Sequence, residues 1–292
     1  MLNILLIFGL IFLMYSVSLW ESGREGFEDG ETVEPYDSFY AEIYNILWHP
    51  KEKVDFEQVS IQDIALAGEP IATIKILDMA CGTSPYACWF KNLGVDFLGV
   101  DNSGAMISQA QKNCSSAKFK KADITQSSEF PPKSFSTCLL TGFAIYEFTN
   151  PKAVFDNAFV WLRPEGTLVV HLVDPDKYDA LLDLASPFAA FSLQKYSYER
   201  QIKSEIYFSK FKYIGELKKK KDHDDAQFKE TFIFFDPKEN NGIKYREQQH
   251  EWNMPSVERL IEIAKTSGFR LKEKVSLTPA SKEYQYLVYF TK

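Results

Sequence analysis

The sequence predicts an α/β protein. It has a mostly parallel, twisted sheet with helices on both faces, an antiparallel β lid insertion and an N-terminal transmembrane helix. Three observations predict it. Between residues 74 and 173, short apolar runs alternate with helical patterns, the rhythm of right-handed βαβ units. From residue 174 to 252 that rhythm gives way to period-two stretches of aromatic and β-branched residues, the pattern of antiparallel hairpins. Residues 2–20 carry no charge, and a spanning helix needs about 20 mostly apolar residues.

The elements follow in order. Residues 1–20 form the anchor, with Trp20 at the membrane interface. A positive n-region is missing, which argues against a cleaved signal peptide. Residues 21–35 are rich in Glu, Asp and Gly and read as a solvated acidic linker. Residues 36–292 form one folded domain, with 174–252 as an insertion on its substrate side. Residues 36–48 place Phe39, Tyr40, Ile43, Tyr44 and Leu47 at helical spacing. Strands are expected over 74–77, 97–100, 117–119, 135–140 and 167–173. Pro85 fits the first turn of a helix and Gly94 its stop. Ser103 caps a helix over 104–113, and another helix spans 151–162 before the turn at Pro164, Glu165 and Gly166. Strands over 207–217 and 228–235 flank a charged, solvated turn at 218–225, and 244–252 joins their sheet. A helix from Pro255 to Ser267 and strands over 270–275 and 284–290 close the domain.

Composition narrows the function. Apolar residues make up 45% of the chain, charged residues 25%, and the net charge is -7. A nucleic-acid binder usually shows a basic domain, so no nucleic acid is expected. Cys81, Cys88, Cys114 and Cys138 form no CxxC pair and have no His cluster nearby, so no metal site is expected. They read as buried free thiols of a reducing compartment.

The chemistry concentrates after the first strand. Asp78, Met79, Ala80, Cys81, Gly82, Thr83 and Ser84 lie between that strand and a helix. A turn of small residues lets backbone N–H groups approach a ligand. Asp101 ends the second strand 19 positions after Gly82. An acid at about that spacing binds a ribose hydroxyl pair, so an adenosine-type ligand is implied. The turn opens on a carboxylate and lacks GxGxxG. A carboxylate suits a ligand carrying ammonium or sulfonium charge, which favours S-adenosylmethionine over a nicotinamide dinucleotide.

At these residues the chain resembles the class I (Rossmann-like) methyltransferases that use S-adenosylmethionine. Their acid-x-Gly-x-Gly-x-Gly turn matches Asp78 to Ser84, with Ala80 and Ser84 in place of two glycines. Their second-strand acid matches Asp101, and their following acid–apolar pair matches Asp123 and Ile124. Their fourth-strand motif matches 135–142, which includes Thr141, and their turn before the fifth strand matches 162–166. The resemblance implies that Asp78 orders the turn and the methionine end of the cofactor, and that Ala80, Cys81 and Gly82 form the turn itself. It implies Asp101 on the ribose, Asn102 or Ser103 beside the adenine, and Asp123 and Ile124 on the adenine. It also implies that residues 36–44 are the helix that closes over the cofactor. Tyr36, Tyr40 and Tyr44 would share one face of it, and aromatic faces attract a sulfonium.

Methyl transfer from a sulfonium needs the acceptor positioned in line. A base is needed only if the acceptor must lose a proton. His171, Tyr146 and Glu147 are the candidates, His171 first because histidine titrates near neutrality. The expected activity is methyl transfer to an unidentified small-molecule or protein acceptor at a membrane surface, in a single-pass protein with a cytosolic catalytic domain. The alternatives are a methyltransferase-like scaffold without catalysis, motivated by Ser84, and a nicotinamide oxidoreductase, disfavoured by the missing glycine fingerprint.

Overall fold

A computed structural model describes residues 30–33, 35–178, 180, 182, 199–236, 238 and 243–292. In chain order the elements are β1 (Gly30–Thr32), α1 (Ser38–Trp48), α2 (Lys51–Ala65), β2 (Lys75–Met79), α3 (Ala87–Asn92), β3 (Asp96–Asp101), α4 (Gly104–Asn113), β4 (Lys118–Lys121), β5 (Phe135–Leu140), α5 (Pro151–Trp161), β6 (Leu162–Val173), β7 (Glu199–Tyr207), β8 (Phe211–Lys220), β9 (Asp225–Phe234), β10 (Tyr245–Asn253), α6 (Val257–Thr266), β11 (Arg270–Ser276) and β12 (Gln285–Thr291).

The larger sheet runs β11-β12-β6-β5-β2-β3-β4. Strands β4, β3, β2, β5 and β6 are parallel, while β12 and β11 add an antiparallel edge. This is a mixed, Rossmann-like α/β sheet. Alternate residues along its strands feed two cores. Leu77, Cys138 and Leu168 pack under α5 and α6, whereas Ile76, Leu139 and Val169 pack under α2 and α3. The chain runs from β2 outward to β3 and β4, then crosses back to β5 on the other side of β2. That reversal opens a crevice at the carboxyl ends of β2, β3 and β5, where open α/β sheets bind ligands.

A second sheet is separate, with the order β1-β10-β9-β8-β7. Its strands pair antiparallel except for β1, which runs parallel to β10. Helix α1 packs between the sheets. Ala41, Leu47 and Tyr40 share an apolar cluster with Tyr213 and Phe232 of the second sheet and with Met106 of α4.

Several expectations are corrected. The acidic linker does not run unbroken to residue 35, because Gly30–Thr32 pairs with Tyr245–Glu247. That pairing uses backbone groups and leaves no apolar signature. The stretch 207–217 is the end of β7 and most of β8, with a turn between them. Lys219 is 3% exposed and lies within β8, so 218–221 is not wholly a solvated turn. Its ammonium sits 2.8 Å from Asp176 and donates to the His223 carbonyl at 2.7 Å. Helix α2 gave no signal because its inner face is partly polar. Lys53 and Glu57 are buried there as a pair 2.9 Å apart, and the Tyr86 hydroxyl donates to Glu57 at 2.6 Å.

The cysteines also differ from expectation. Cys88 of α3 and Cys114, which caps α4, form a disulfide with Cα atoms 5.4 Å apart. The two lie 26 positions apart and meet only because α3 and α4 flank β3. Cys81 and Cys138 are free and buried. The expected anchor over residues 2–20 lies outside the described residues. Among the described residues, no helix is long and apolar enough to cross a membrane.

Candidate functional site

The turn after β2 is built on left-handed backbone. Ala80, Gly82 and Ser84 have φ of 52°, 53° and 50°. Glycine adopts this conformation freely, while an L-residue is strained there by about 1–3 kcal/mol. Ser84 offsets part of that cost, since its hydroxyl donates to Asp78 Oδ2 at 3.0 Å. Both residues are buried, and neither lines the cavity above them. Ser84 therefore points away from a ligand, and Asp78 braces the turn from beneath. Burial pushes the Asp78 carboxyl up to about 7 against the opposing Ser84 bond.

Asp101 faces the cavity from the end of β3. Its Oδ2 accepts the Gly82 N–H at 2.9 Å and its Oδ1 the Ser103 N–H at 2.8 Å. Burial raises its pKa, and these backbone donors oppose the rise. Each oxygen keeps a lone pair for a ligand hydroxyl. Ala80, Cys81, Asn102 and Ile124 line the same cavity, as do Asp123 and Thr141. The Thr125 backbone N–H bonds Asp123 at 2.9 Å and helps hold its carboxyl below the usual range.

Helix α1 closes one side. Asp37 caps it, accepting the Tyr40 N–H at 3.0 Å. Tyr36 precedes the cap with φ 67°, so it is not on the helical face expected. Its ring still lies 5.9 Å from that of Tyr40 and 6.3 Å from that of Tyr44. All three rings border the cavity. A Cβ on Gly82 would come within 3.3 Å of Tyr44, so the turn and the helix meet closely there.

The antiparallel sheet supplies what the sequence left unseen. The buried carboxylate of Glu230 accepts from the Tyr40 hydroxyl, the Tyr213 hydroxyl and the Gln248 amide, each at 2.8 Å. It also lies 3.0 Å from His250 Nε2. His250 Nδ1 sits 3.4 Å from Glu147 Oε1. That same oxygen accepts from the Tyr36 hydroxyl and from Trp252 Nε1, each at 2.7 Å. Burial opposes the charged imidazole of His250, but bonds to Glu147 and Glu230 win and raise it to about 9. Burial also opposes the Glu147 carboxylate, and His250 nevertheless holds it below the usual range. Trp48, His49, Phe143, His250 and Trp252 line the cavity too. The only sequence signal for His250 and Trp252 was the period-two pattern of 244–252.

Two of the three proposed acid–base residues lie elsewhere. His171 is fully buried in β6, with Nδ1 against the Gly142 carbonyl and Nε2 3.1 Å from Gln285. Phe143 packs edge-on against its ring, and burial lowers it to about 4. Tyr146 is also fully buried, its hydroxyl accepting the Val173 N–H at 2.8 Å. Both serve the sheet rather than the cavity. Glu147 alone of the three reaches the wall.

The cavity encloses about 580 Å³, within the usual range for small-molecule sites. Its charged lining is mostly acidic: Asp37, Asp101, Asp123 and Glu147, against Lys121 and His250. Asp37 is neutralised by Arg246 at 2.6 Å. Among the described residues, no group of His, Cys, Asp or Glu is placed to hold a metal.

Comparison with known proteins agrees with this architecture. Residues 77–170 match the family described as methyltransferase domain. The trans-aconitate 2-methyltransferase of Delftia acidovorans is 25% identical over 132 residues, 44% of this chain and 49% of that protein. The chain thus spans about half the length of the curated relative it matches. The CcbJ methyltransferase from Streptomyces caelestis superposes with a TM-score of 0.64 at 14% identity, covering 88% of this chain and 97% of that one. CalS10, an amino pentose methyltransferase from Micromonospora echinaspora, gives 0.60 at 14% identity over 89% and 98%. At such identities the likeness is one of fold. Residues 77–170 thus resemble a methyltransferase domain, set in a chain that shares the fold of solved methyltransferases.

Proposed function

We propose that this chain is an S-adenosylmethionine-dependent methyltransferase whose cofactor lies between the Ala80–Ser84 turn, Asp101 and Asp123. When bound, that cofactor supplies an activated methyl. It would supply that methyl to the acceptor's lone pair, its carbon–sulfur bond breaking with the pair kept on sulfur. The single observation that carries the reading is Asp101, held at the end of β3 by two backbone N–H groups and facing the cavity. The donor set fits the ligand: a carboxylate for a ribose diol, a second for an adenine amino group, and tyrosine faces beside a sulfonium. Calorimetric titration of the full chain with S-adenosylmethionine tests it. Binding that weakens tenfold or more in Asp101→Ala is expected, about the value of hydrogen bonds to a charged group. No binding by the wild type, or unchanged binding by the variant, overturns it.

The second sheet covers the crevice on the acceptor side, and 174–252 acts as the substrate lid. Residues 2–20 tether the chain to a membrane, a reading that rests on their uncharged, apolar sequence. Membrane fractionation of the full chain against a form lacking 1–20 tests the tether. Equal partitioning of the two removes it.

A further inference from the structure

We propose that the acceptor is an amine, anchored through its N–H by the Glu147 carboxylate, with His250 as the residue that positions that carboxylate. The inference rests on the methyltransferase reading and names the substrate class of the same cavity.

Glu147 lines the cavity from the short helix that follows β5, near enough to Asp101 to add to the pKa rise that burial causes there. It accepts two hydrogen bonds, from Tyr36 and Trp252, and these and its ion pair with His250 all end on Oε1. Oε2 takes no part in them, and the side chain is 29% exposed although His250 beside it is nearly buried. A carboxylate fixed by two donors and an ion pair, and still open to the cavity, is a preformed acceptor for N–H groups. Around it stand aromatic rings. Phe143 and Trp252 stack at 5.5 Å between centroids with their planes 5° apart, and Trp48 lies edge-on to both. Aromatic faces beside a carboxylate favour a nitrogen that carries or develops positive charge. No arginine lines the cavity among the described residues, so the bidentate fork that a carboxylate acceptor would use is missing there.

The positive charge of His250 is already spent. It lies between Glu147 and Glu230, and Glu230 is fixed in turn by Tyr40, Tyr213 and Gln248. With one imidazolium between two carboxylates, the cluster remains net negative toward the cavity. An acceptor N–H on Glu147 leaves the lone pair of a neutral amine free for the new N–C bond. The methylated nitrogen then carries the positive charge that left sulfur, and Glu147 offsets it. The extra proton leaves to water on release.

The test uses the full chain loaded with S-adenosylhomocysteine and three probes of one skeleton: 2-phenylethylamine, 2-phenylethanol and phenylacetate. Their dissociation constants are read by calorimetry. The amine should bind about tenfold or more tighter than the other two, the value of a charge-assisted hydrogen bond. Glu147→Gln should erase that preference when each titration is run with S-adenosylhomocysteine saturating, its affinity for the variant having been measured first. The preference should persist in His250→Gln, whose amide still donates, and vanish in His250→Leu. Equal binding of the probes, a preference for phenylacetate, or an amine preference that survives Glu147→Gln overturns the proposal. Failure of S-adenosylhomocysteine to bind the wild type is a separate result, and it removes the cofactor reading instead.

Discussion

Single residues in this protein take their meaning from what they touch. Ser84 departs from glycine at a left-handed position, yet its hydroxyl finds Asp78 and the strain is partly offset. His171 and His250 are both buried histidines with opposite electrostatics, and together they shape the pH dependence of stability. His250 has its pKa raised from 6.5 to about 9 by two carboxylates that overcome burial. Its contribution is fully present below pH 6.5 and is lost as pH rises through 9, about 3 kcal/mol in all. Asp78, raised from 3.8 to about 7, also loses stability with rising pH, but its share ends near pH 7. Urea unfolding between pH 7 and 9 therefore reads His250, and His250→Gln should flatten that limb. On the acid side His171 stays neutral in the fold down to about pH 4. The unfolded chain protonates it from 6.5, so the His171 contribution falls as pH drops through that window, against the Asp78 contribution that rises there.

At the scale of elements, α1 is held at its start by one side chain with two duties. Asp37 caps the helix through the Tyr40 N–H and pairs with Arg246, whose side chain is 5% exposed. Asp37→Ala should destabilise by about 2–4 kcal/mol, the lost cap plus an abandoned buried cation, measured by urea unfolding. Asp37→Asn should recover the cap share alone. Helices α3 and α4 are joined by the Cys88–Cys114 disulfide. Asn113, one residue before Cys114, donates to the Thr83 carbonyl of the turn after β2 at 3.2 Å. Reduction, or Cys88→Ser, should lower stability by about 2–4 kcal/mol in a denaturant titration with and without a phosphine reductant. An unchanged midpoint would show that the bond does not form in solution.

At the scale of the molecule, the cavity lies between a parallel sheet that ends in acids and an antiparallel sheet that presents aromatics. A ligand filling it would meet the turn after β2, the end of β3, α1 and β10 at once, and none of those surfaces survives unfolding. S-adenosylhomocysteine at about a hundred times its dissociation constant should therefore stabilise the fold by about 2.7 kcal/mol, seen as a rise in Tm. The same concentration should stabilise Asp101→Ala by about 1.4 kcal/mol or less, since tenfold weaker binding leaves it at about ten times the variant's dissociation constant.

The sequence by itself determined the parallel half of the molecule and the cavity wall that carries Asp101 and Asp123. Buried strands read as short apolar runs, and Asp101, Asp123 and the Gly82 turn stand at spacings fixed by strand and helix length. The helix Gly104–Asn113, with its Ser103 cap, and the strand Phe135–Leu140 were legible residue by residue, because capping and apolar periodicity are local. Helix α2 and strand β1 were not, since one buries polar side chains and the other pairs through its backbone. Only the tertiary structure decided the wall formed by Glu147, His250 and Trp252. Glu147 and His250 lie 103 positions apart, and Glu230 reaches Tyr40 across 190. No local pattern encodes such pairs. The fold alone removed His171 and Tyr146 from the candidates, because a strand that alternates faces sends a histidine to the core as readily as to a crevice.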